Sequence, residues 1–488
     1  MHTLSEQRPV WWRDDVELMV RTDAVGARLR ELDLPDHDMP QRRIRDGAVR
    51  DLFQDLWDLE PFREYLPGSV GGSDGRAAEL LAVLDTVAYE HLPLSLAVGI
   101  TGALFILPID GHAAPTVASE TLQRVAGDDV WLGGMMMTEP SCGSDLLNAS
   151  STADPNGRST RLRGLKHWSG LTGHADSWLV FARDDSARRS RRMGFYVATQ
   201  PAIRDGFKVE EFYRAFGLAP IPYGRTSFDT EIPKGNRLGD ELPYTRVMAG
   251  ILCGSRKIFA GMAHGFARRC LDEATRHTDE RWAFGGRLSD LDQVQARLDD
   301  LRFSECLTRQ LCFHVIAMSD RITSTDAQAG HAALLVKALG TELMAESAEN
   351  LALLRGGEGY RRSVEGFSAL ADSYPYRVFE GPNDVLFEQY ARGAMKAAGT
   401  SDAGSLLEAT GLTVRAGAIS TLLGMRLTPT SQREVVLLGH ILGVAELVAS
   451  VTGPDGRGRF SEEERALVGR VGDERIAAGL AKLVVRCG

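Results

Sequence analysis

A chain of 488 residues and 53.2 kDa is too long for one ordinary hydrophobic core and implies roughly two to four packed units. Its 43% hydrophobic and 25% charged residues are those of a soluble globular protein, and a net charge of -10 with a pI near 5.7 argues against a nucleic-acid binder driven by counterion release. The longest nearly uncharged apolar run, 95–109, is shorter than a membrane span, and the opening MHTLSEQRPVWWRDD has no apolar leader region, so a cytoplasmic protein with no membrane span is expected.

Residues 1–130 read as a helical domain. Leu80, Leu81, Leu84, Val87 and Ala88 recur at helical spacing, and a second apolar helix is predicted over 95–107. The texture changes over 131–240. Short β-type runs, Trp178 to Ala182 and Gly194 to Ala198, stand between Asp, Gly, Ser and Pro clusters, the pattern of an antiparallel β-domain. Over 241–395 helical stripes return: Ile258, Met262, Phe266 and Cys270, then Val294, Leu298 and Leu301, then Leu335, Leu339 and Leu343. Long antiparallel helices with such stripes form a four-helix bundle. A helical C-terminal extension covers 396–488. There SDAGS at 401–405 reads as a linker, and Ser461 with Glu464 reads as a capping box. The predicted class is α+β, with an N-terminal helical domain, a middle antiparallel β-domain, a C-terminal four-helix bundle and an extra helical tail.

The six cysteines are scattered, with no CxxC pair, which fits a reducing compartment. His167 and His174 have no carboxylate or thiol at ligand spacing, and no HExxH occurs, so no metal centre is expected.

Four clusters carry chemistry. Met135 to Asp145, MMMTEPSCGSD, offers a small-residue turn with hydroxyl and backbone donors, suited to a flat heteroaromatic ring or a pyrophosphate, or simply a β-domain loop. Gly164 to Gly170, GLKHWSG, places a Trp among small residues, where it can cover a ring or fill a core. Glu280 to Gly285, ERWAFG, sets Arg281 beside aromatics at a helix end, suited to a phosphate and a purine. The last cluster joins the helix-ending glycines of GGEGY at 356–360 to FEGPND at 379–384. There Glu380 lies between an aromatic and a flexible joint, where desolvation can fit a carboxylate to proton abstraction.

In order and spacing these clusters resemble the acyl-CoA dehydrogenase family over residues 60–395. TEPSCGSD resembles its flavin loop, GLKHWSG followed by HAD its Trp-bearing strand, and FEGPNDVLFEQYAR its catalytic turn. The resemblance implies FAD as cofactor. Met137, Thr138, Gly143 and Ser144 would hold the isoalloxazine and pyrophosphate, and Trp168 and Gly170 would lie along the ring. Arg281, Phe284, Gly356 and Gly357 would reach the FAD of a neighbouring subunit, implying a homodimer or homotetramer. Arg256 and Gly381 would lie on the substrate side, and Glu380 would be the base.

The activity so implied is α,β-dehydrogenation of an acyl-CoA or acyl-carrier-protein thioester, with an electron-transfer flavoprotein as oxidant. One family branch carries its base directly before the Arg of the long helix; here that position is Ser255. The sequence departs from the family pattern at Asp292, Leu353, Ala371 and Pro382, on the adenosine and pyrophosphate side and at the catalytic turn. Phe105, in the helix that lines the acyl pocket in this family, hints at a short or branched acyl group. Two other readings are a flavin monooxygenase of the same fold, which Glu380 argues against, and a non-catalytic flavin-binding scaffold, which the negative charge argues against.

Overall fold

Strand β1 (Gly133–Met136) is wholly buried because two glycines let other elements press directly on its backbone. A Cβ on Gly133 would lie 2.1 Å from the Phe105 ring, and one on Gly134 would lie 2.4 Å from Trp178. The computed structural model describes residues 11–12, 14–323, 326–362, 365–412 and 427–487. The described chain divides into two compact units, one built mainly from residues 21–258 and the other mainly from 259–318 and 326–488.

The first unit combines helices and a sheet. Its helices are α1 (Val16–Glu31), α2 (Gln41–Asp46), α3 (Ala48–Asp55), α4 (Ala77–Glu90), α5 (Leu92–Thr101), α6 (Leu107–His112) and α7 (Pro115–Val125). The second helix predicted over 95–107 is α5 and α6 joined by a π-helical turn at Gly102–Ile106. The Tyr65 ring lies where a Cβ on Gly102 would stand, 2.5 Å away. The run Leu92–His112 is long and apolar enough to cross a membrane, with 94% of its most apolar window buried inside the fold.

The remaining strands are β2 (Thr152–Asn156), β3 (Ser159–His167), β4 (Ser177–Arg183), β5 (Met193–Thr199), β6 (Phe207–Phe212) and β7 (Gly224–Pro233), with the short α8 (Ala202–Gly206) before β6 and α9 (Tyr244–Lys257) after the sheet. The seven strands run in the order β1-β4-β2-β3-β7-β6, with β5 also on β4. β3 and β7 pair antiparallel from Ser159↔Pro233 to His167↔Arg225. β4 and β5 pair antiparallel along their length and are buried over six consecutive residues, as their uncharged sequences require. The sheet is mixed, because β1 lies parallel to β4 from Gly133↔Ser177 to Met136↔Val180. Asp176 sets that pairing: its carboxylate accepts from Leu132 N at 2.9 Å and from the Arg50 guanidinium of α3 at 2.8 Å.

The second unit is helical. It contains α10 (Phe259–Glu280), a two-stranded hairpin of β8 (Trp282–Ala283) and β9 (Gly286–Arg287), α11 (Asp292–Met318), α12 (Ala327–Arg355), α13 (Glu365–Ser373), α14 (Asn383–Ala398) and α15 (Ala403–Ala409). Two further helices among the described residues are Gln432–Thr452 and Glu462–Cys487. SDAGS is not a linker: Asp402 caps α15 by accepting from Ser405 N at 3.0 Å, so helix starts inside that motif. The capping box is present, with Ser461 N donating to Glu464 at 2.7 Å and Glu464 N to Ser461 Oγ at 3.1 Å. The last helix is tied to the bundle by buried Arg309, which pairs with both Glu305 and Glu464. Glu305, Cys306 and Glu464 bring possible metal ligands within 4.8 Å of one another, but the Arg309 guanidinium already supplies a cation there. Five described cysteines, Cys142, Cys253, Cys270, Cys306 and Cys312, are buried free thiols.

Candidate functional site

The candidate residues fall into two sets, one in each unit. In the first unit β1 ends at Met136, leaving Met137 and Thr138 half-buried. The chain then turns at Glu139, whose carboxylate has no access to solvent yet is fully hydrogen-bonded. It accepts from Lys166 Nζ at 2.7 Å, from Ser150 N and Oγ at 2.6 Å, and from Ser151 N at 3.0 Å. Burial alone would raise this carboxyl, but the hydrogen bonds from Lys166, Ser150 and Ser151 outweigh it and hold it at about 2. Lys166 also donates to the Met137 carbonyl at 2.9 Å. One buried ion pair therefore closes the base of the 139–151 loop. At its tip Gly143 and Ser144 are exposed, and a Cβ on Gly143 would meet nothing within 4 Å.

Trp168 stands next to this loop. His167 N donates to the Thr138 carbonyl at 3.0 Å, and Trp168 N donates to the Gly224 carbonyl at 3.0 Å. Trp168 adopts φ +56°, and its side chain is 54% exposed, beside Tyr213 at 4.6 Å and Tyr223 at 6.2 Å between ring centroids. Gly170 has a different explanation: a Cβ there would come within 2.6 Å of Ile100 on α5, so its smallness serves helix packing. On α9, Ser255 is buried and its hydroxyl donates to the Leu252 carbonyl at 3.4 Å, whereas Arg256 is half-buried.

In the second unit Arg281 is exposed at the end of α10, where the chain enters the hairpin. Phe284 sits at the hairpin tip with φ +55° and 93% exposure, a poor position for an aromatic ring in a lone chain. Gly356 ends α12 at φ +59°, and neither Gly356 nor Gly357 has an atom within 4 Å of where a Cβ would stand. Their backbone is open to approach.

Glu380 follows a short 3-10 turn, Tyr374–Arg377, and precedes α14. It is half-buried at φ +58°, with Gly381 at φ +100°. Phe379, next to it, packs on Tyr376 at 5.0 Å and Phe259 at 5.9 Å between centroids. The turn is fastened from beneath by a residue that sequence reasoning missed. Lys337 of α12, with no solvent access, donates to the Gly381 carbonyl at 2.7 Å and to Asn383 Oδ1 at 2.8 Å. A lysine inside the apolar run ALLVKALG was the available signal.

Seven described residues other than glycine have left-handed φ, and Trp168, Phe284 and Glu380 are three of them. Side chains with a Cβ resist this conformation, by about 1–3 kcal/mol each, and such outliers cluster at functional sites.

Residues 134–230 match the family model described as acyl-CoA dehydrogenase, middle domain, and residues 245–395 match that of the acyl-CoA dehydrogenase C-terminal domain. A glutaryl-CoA dehydrogenase of Desulfococcus multivorans is 27% identical over 370 residues, covering 71% of this chain and 93% of the relative. In fold, the chain is similar to an acyl-CoA dehydrogenase of Bacillus anthracis complexed with FAD, at TM-score 0.80 and 16% identity, over 100% of this chain and 91% of the other. A prolyl acyl carrier protein oxidase superposes at TM-score 0.68 and 16% identity, over 78% of this chain and 98% of the other. Fold and sequence together define an α+β oxidoreductase acting on CH–CH bonds. The chain belongs to the acyl-CoA dehydrogenase family.

Proposed function

We propose that this protein removes hydrogen across the α,β-bond of an acyl thioester, with FAD as cofactor and Glu380 as the base. The observation that carries this reading is the Glu380 turn: a half-buried carboxylate in strained backbone, between a packed aromatic and a glycine, inside the matched C-terminal region. The first unit's residues fit a flavin. An exposed Trp168 ring suits an isoalloxazine face, and the open Gly143–Ser144 loop offers backbone and hydroxyl donors to a pyrophosphate. Met137 and Thr138 would complete that binding surface. FAD, when bound, supplies the two-electron acceptor for the β-hydrogen and its bonding pair.

The chain's own part is acid–base and electrostatic. The Glu380 carboxylate accepts the α-proton as the α C–H bond breaks, and its backbone N–H would donate to the thioester carbonyl, stabilising the charge that develops there. Gly381 keeps that backbone accessible, and Arg256 would bind the thioester's carrier group. Arg281, Phe284, Gly356 and Gly357 would serve the FAD of a second copy, making the working enzyme at least a homodimer. An electron-transfer flavoprotein is the proposed oxidant. The thioester is CoA- or carrier-protein-linked. A short or branched acyl group is the proposed substrate, on the bulk of Phe105 in the helix that would line the acyl pocket.

The test is anaerobic flavin bleaching by a panel of short and branched acyl-CoA and acyl-carrier thioesters, wild type against Glu380→Gln. Wild type should bleach with at least one thioester, and the variant should bleach slower by about 10²–10⁴-fold while holding FAD. A wild type that holds FAD and bleaches with none would overturn the dehydrogenase reading. Equal rates in the two proteins would overturn the base.

A further inference from the structure

We infer that Lys337 is a positioning residue for the proton-abstracting turn, fixing the backbone on which Glu380 sits. The inference rests on the reading of Glu380 as base. Lys337 lies among Leu335, Val336, Ala338 and Leu339, all out of solvent, where α12 is buried on every face from residue 335 to 341. A buried ammonium is costly unless its protons find acceptors. The Gly381 carbonyl at 2.7 Å and the Asn383 amide oxygen at 2.8 Å are such acceptors.

The choice of acceptors gives the residue its role. Gly381 is the joint after the base, at φ +100° and without a Cβ to restrict it. Pro382 follows, so the peptide between them has no N–H by which it could be fixed. Its carbonyl is the available handle, and Lys337 holds it. Asn383, the first residue of α14, is held in the same way. Its Nδ2 donates to Glu342 at 2.7 Å and to Thr341 Oγ1 at 2.9 Å, both on α12. Upstream of the base, the Arg377 guanidinium reaches the same Glu342 at 3.7 Å. One stretch of α12, from Lys337 to Glu342, thus brackets the segment carrying Glu380 on both sides. A base displaced by about 1 Å can lose on the order of 10²-fold in rate.

The experiment uses the FAD-loaded enzyme as wild type, Glu380→Gln, Lys337→Met, Asn383→Ala and Ser347→Ala. Ser347 is buried on the same helix, with its hydroxyl on the Leu343 carbonyl, and serves as the control for a buried polar loss. Flavin content, unfolding midpoint, anaerobic reduction rate and KM are measured with the best thioester of the panel. Lys337→Met should reduce about 10²-fold more slowly, and Asn383→Ala on the order of tenfold, with KM nearly unchanged and wild-type FAD content. Ser347→Ala should keep the wild-type rate. If Lys337→Met does not fold, Asn383→Ala carries the test. Lys337→Met and Asn383→Ala at wild-type rate, while Glu380→Gln is slow, would overturn the Lys337 assignment alone. A drop in unfolding midpoint with an unchanged rate would also overturn it, leaving a purely structural lysine. A Glu380→Gln variant as fast as wild type would overturn the base and the Lys337 role with it.

Discussion

At the scale of single residues, the buried Glu139–Lys166 pair shows how a charge can organise a loop. Both side chains are out of solvent, and the carboxylate collects its partners from the loop it closes. Glu139→Gln leaves the Lys166 ammonium buried without its counter-charge. The expected loss is about 3–5 kcal/mol of stability, read from urea unfolding midpoints, together with weaker FAD retention. The pH dependence has a definite sign. The Glu139 carboxyl is depressed from 4.5 to about 2, so its contribution is complete above 4.5 and is lost as pH falls toward 2. The variant should lack that part of the acid transition.

Glu139 has no role of its own in the sequence beyond its place in TEPSCGSD, whereas Trp168 and Glu380 are visible there, because motif order names side chains. Their backbone was not visible. Nothing in the letters F-E-G announces that the carboxylate, and not only the glycine, takes the left-handed conformation. Lys337 was hidden for the opposite reason: two residues from both Leu335 and Leu339, it falls off their stripe, where a lysine reads as a surface residue, and only its tertiary contact to Gly381, 44 residues on, explains its burial.

At the scale of elements, helical stripes and β-type runs were legible because burial imposes their period. The departures came where one element presses on another. The π-turn at Gly102–Ile106 has the Tyr65 ring against it, and the parallel placement of β1 depends on Asp176 reaching Leu132 and Arg50. SDAGS resembles a linker in sequence because small polar residues favour caps and turns alike. Close approach also governs the extension. Its helix Gln432–Thr452 lies so near α14 that a Cβ on Gly439 would fall 2.2 Å from the Phe387 carbonyl oxygen, a backbone atom that cannot yield alone. Gly439→Ala should destabilise the protein by about 1–3 kcal/mol through overpacking, measured as a lowered thermal midpoint. An unchanged midpoint would mean that the two helices separate without cost.

At the scale of the molecule, the extension belongs to the helical unit: Gln432–Thr452 packs on α14, and Arg309 binds the last helix through Glu464. The fold match to the Bacillus anthracis enzyme covers the whole chain, the extension included. The hairpin makes a separate prediction. A 93%-exposed Phe284 and an exposed Trp282 suit burial by a second copy. If the proposed dimer or tetramer forms through this hairpin, Phe284→Ser should shift the mass seen by light scattering toward monomer and lower FAD content with it. A variant with unchanged mass and FAD content would remove the hairpin from the assembly.

The three left-handed residues have a consequence for how this protein would evolve or be engineered. At Trp168, Phe284 and Glu380 the backbone would be more at ease with glycine or asparagine. A screen that rewards heat resistance alone would therefore drift toward those replacements. It would enrich tougher proteins that have discarded the aromatic platform, the hairpin tip and the carboxylate. Consensus design guided by thermostability should hold these three positions fixed, because the conformational tension they carry is inseparable from the work they are proposed to do.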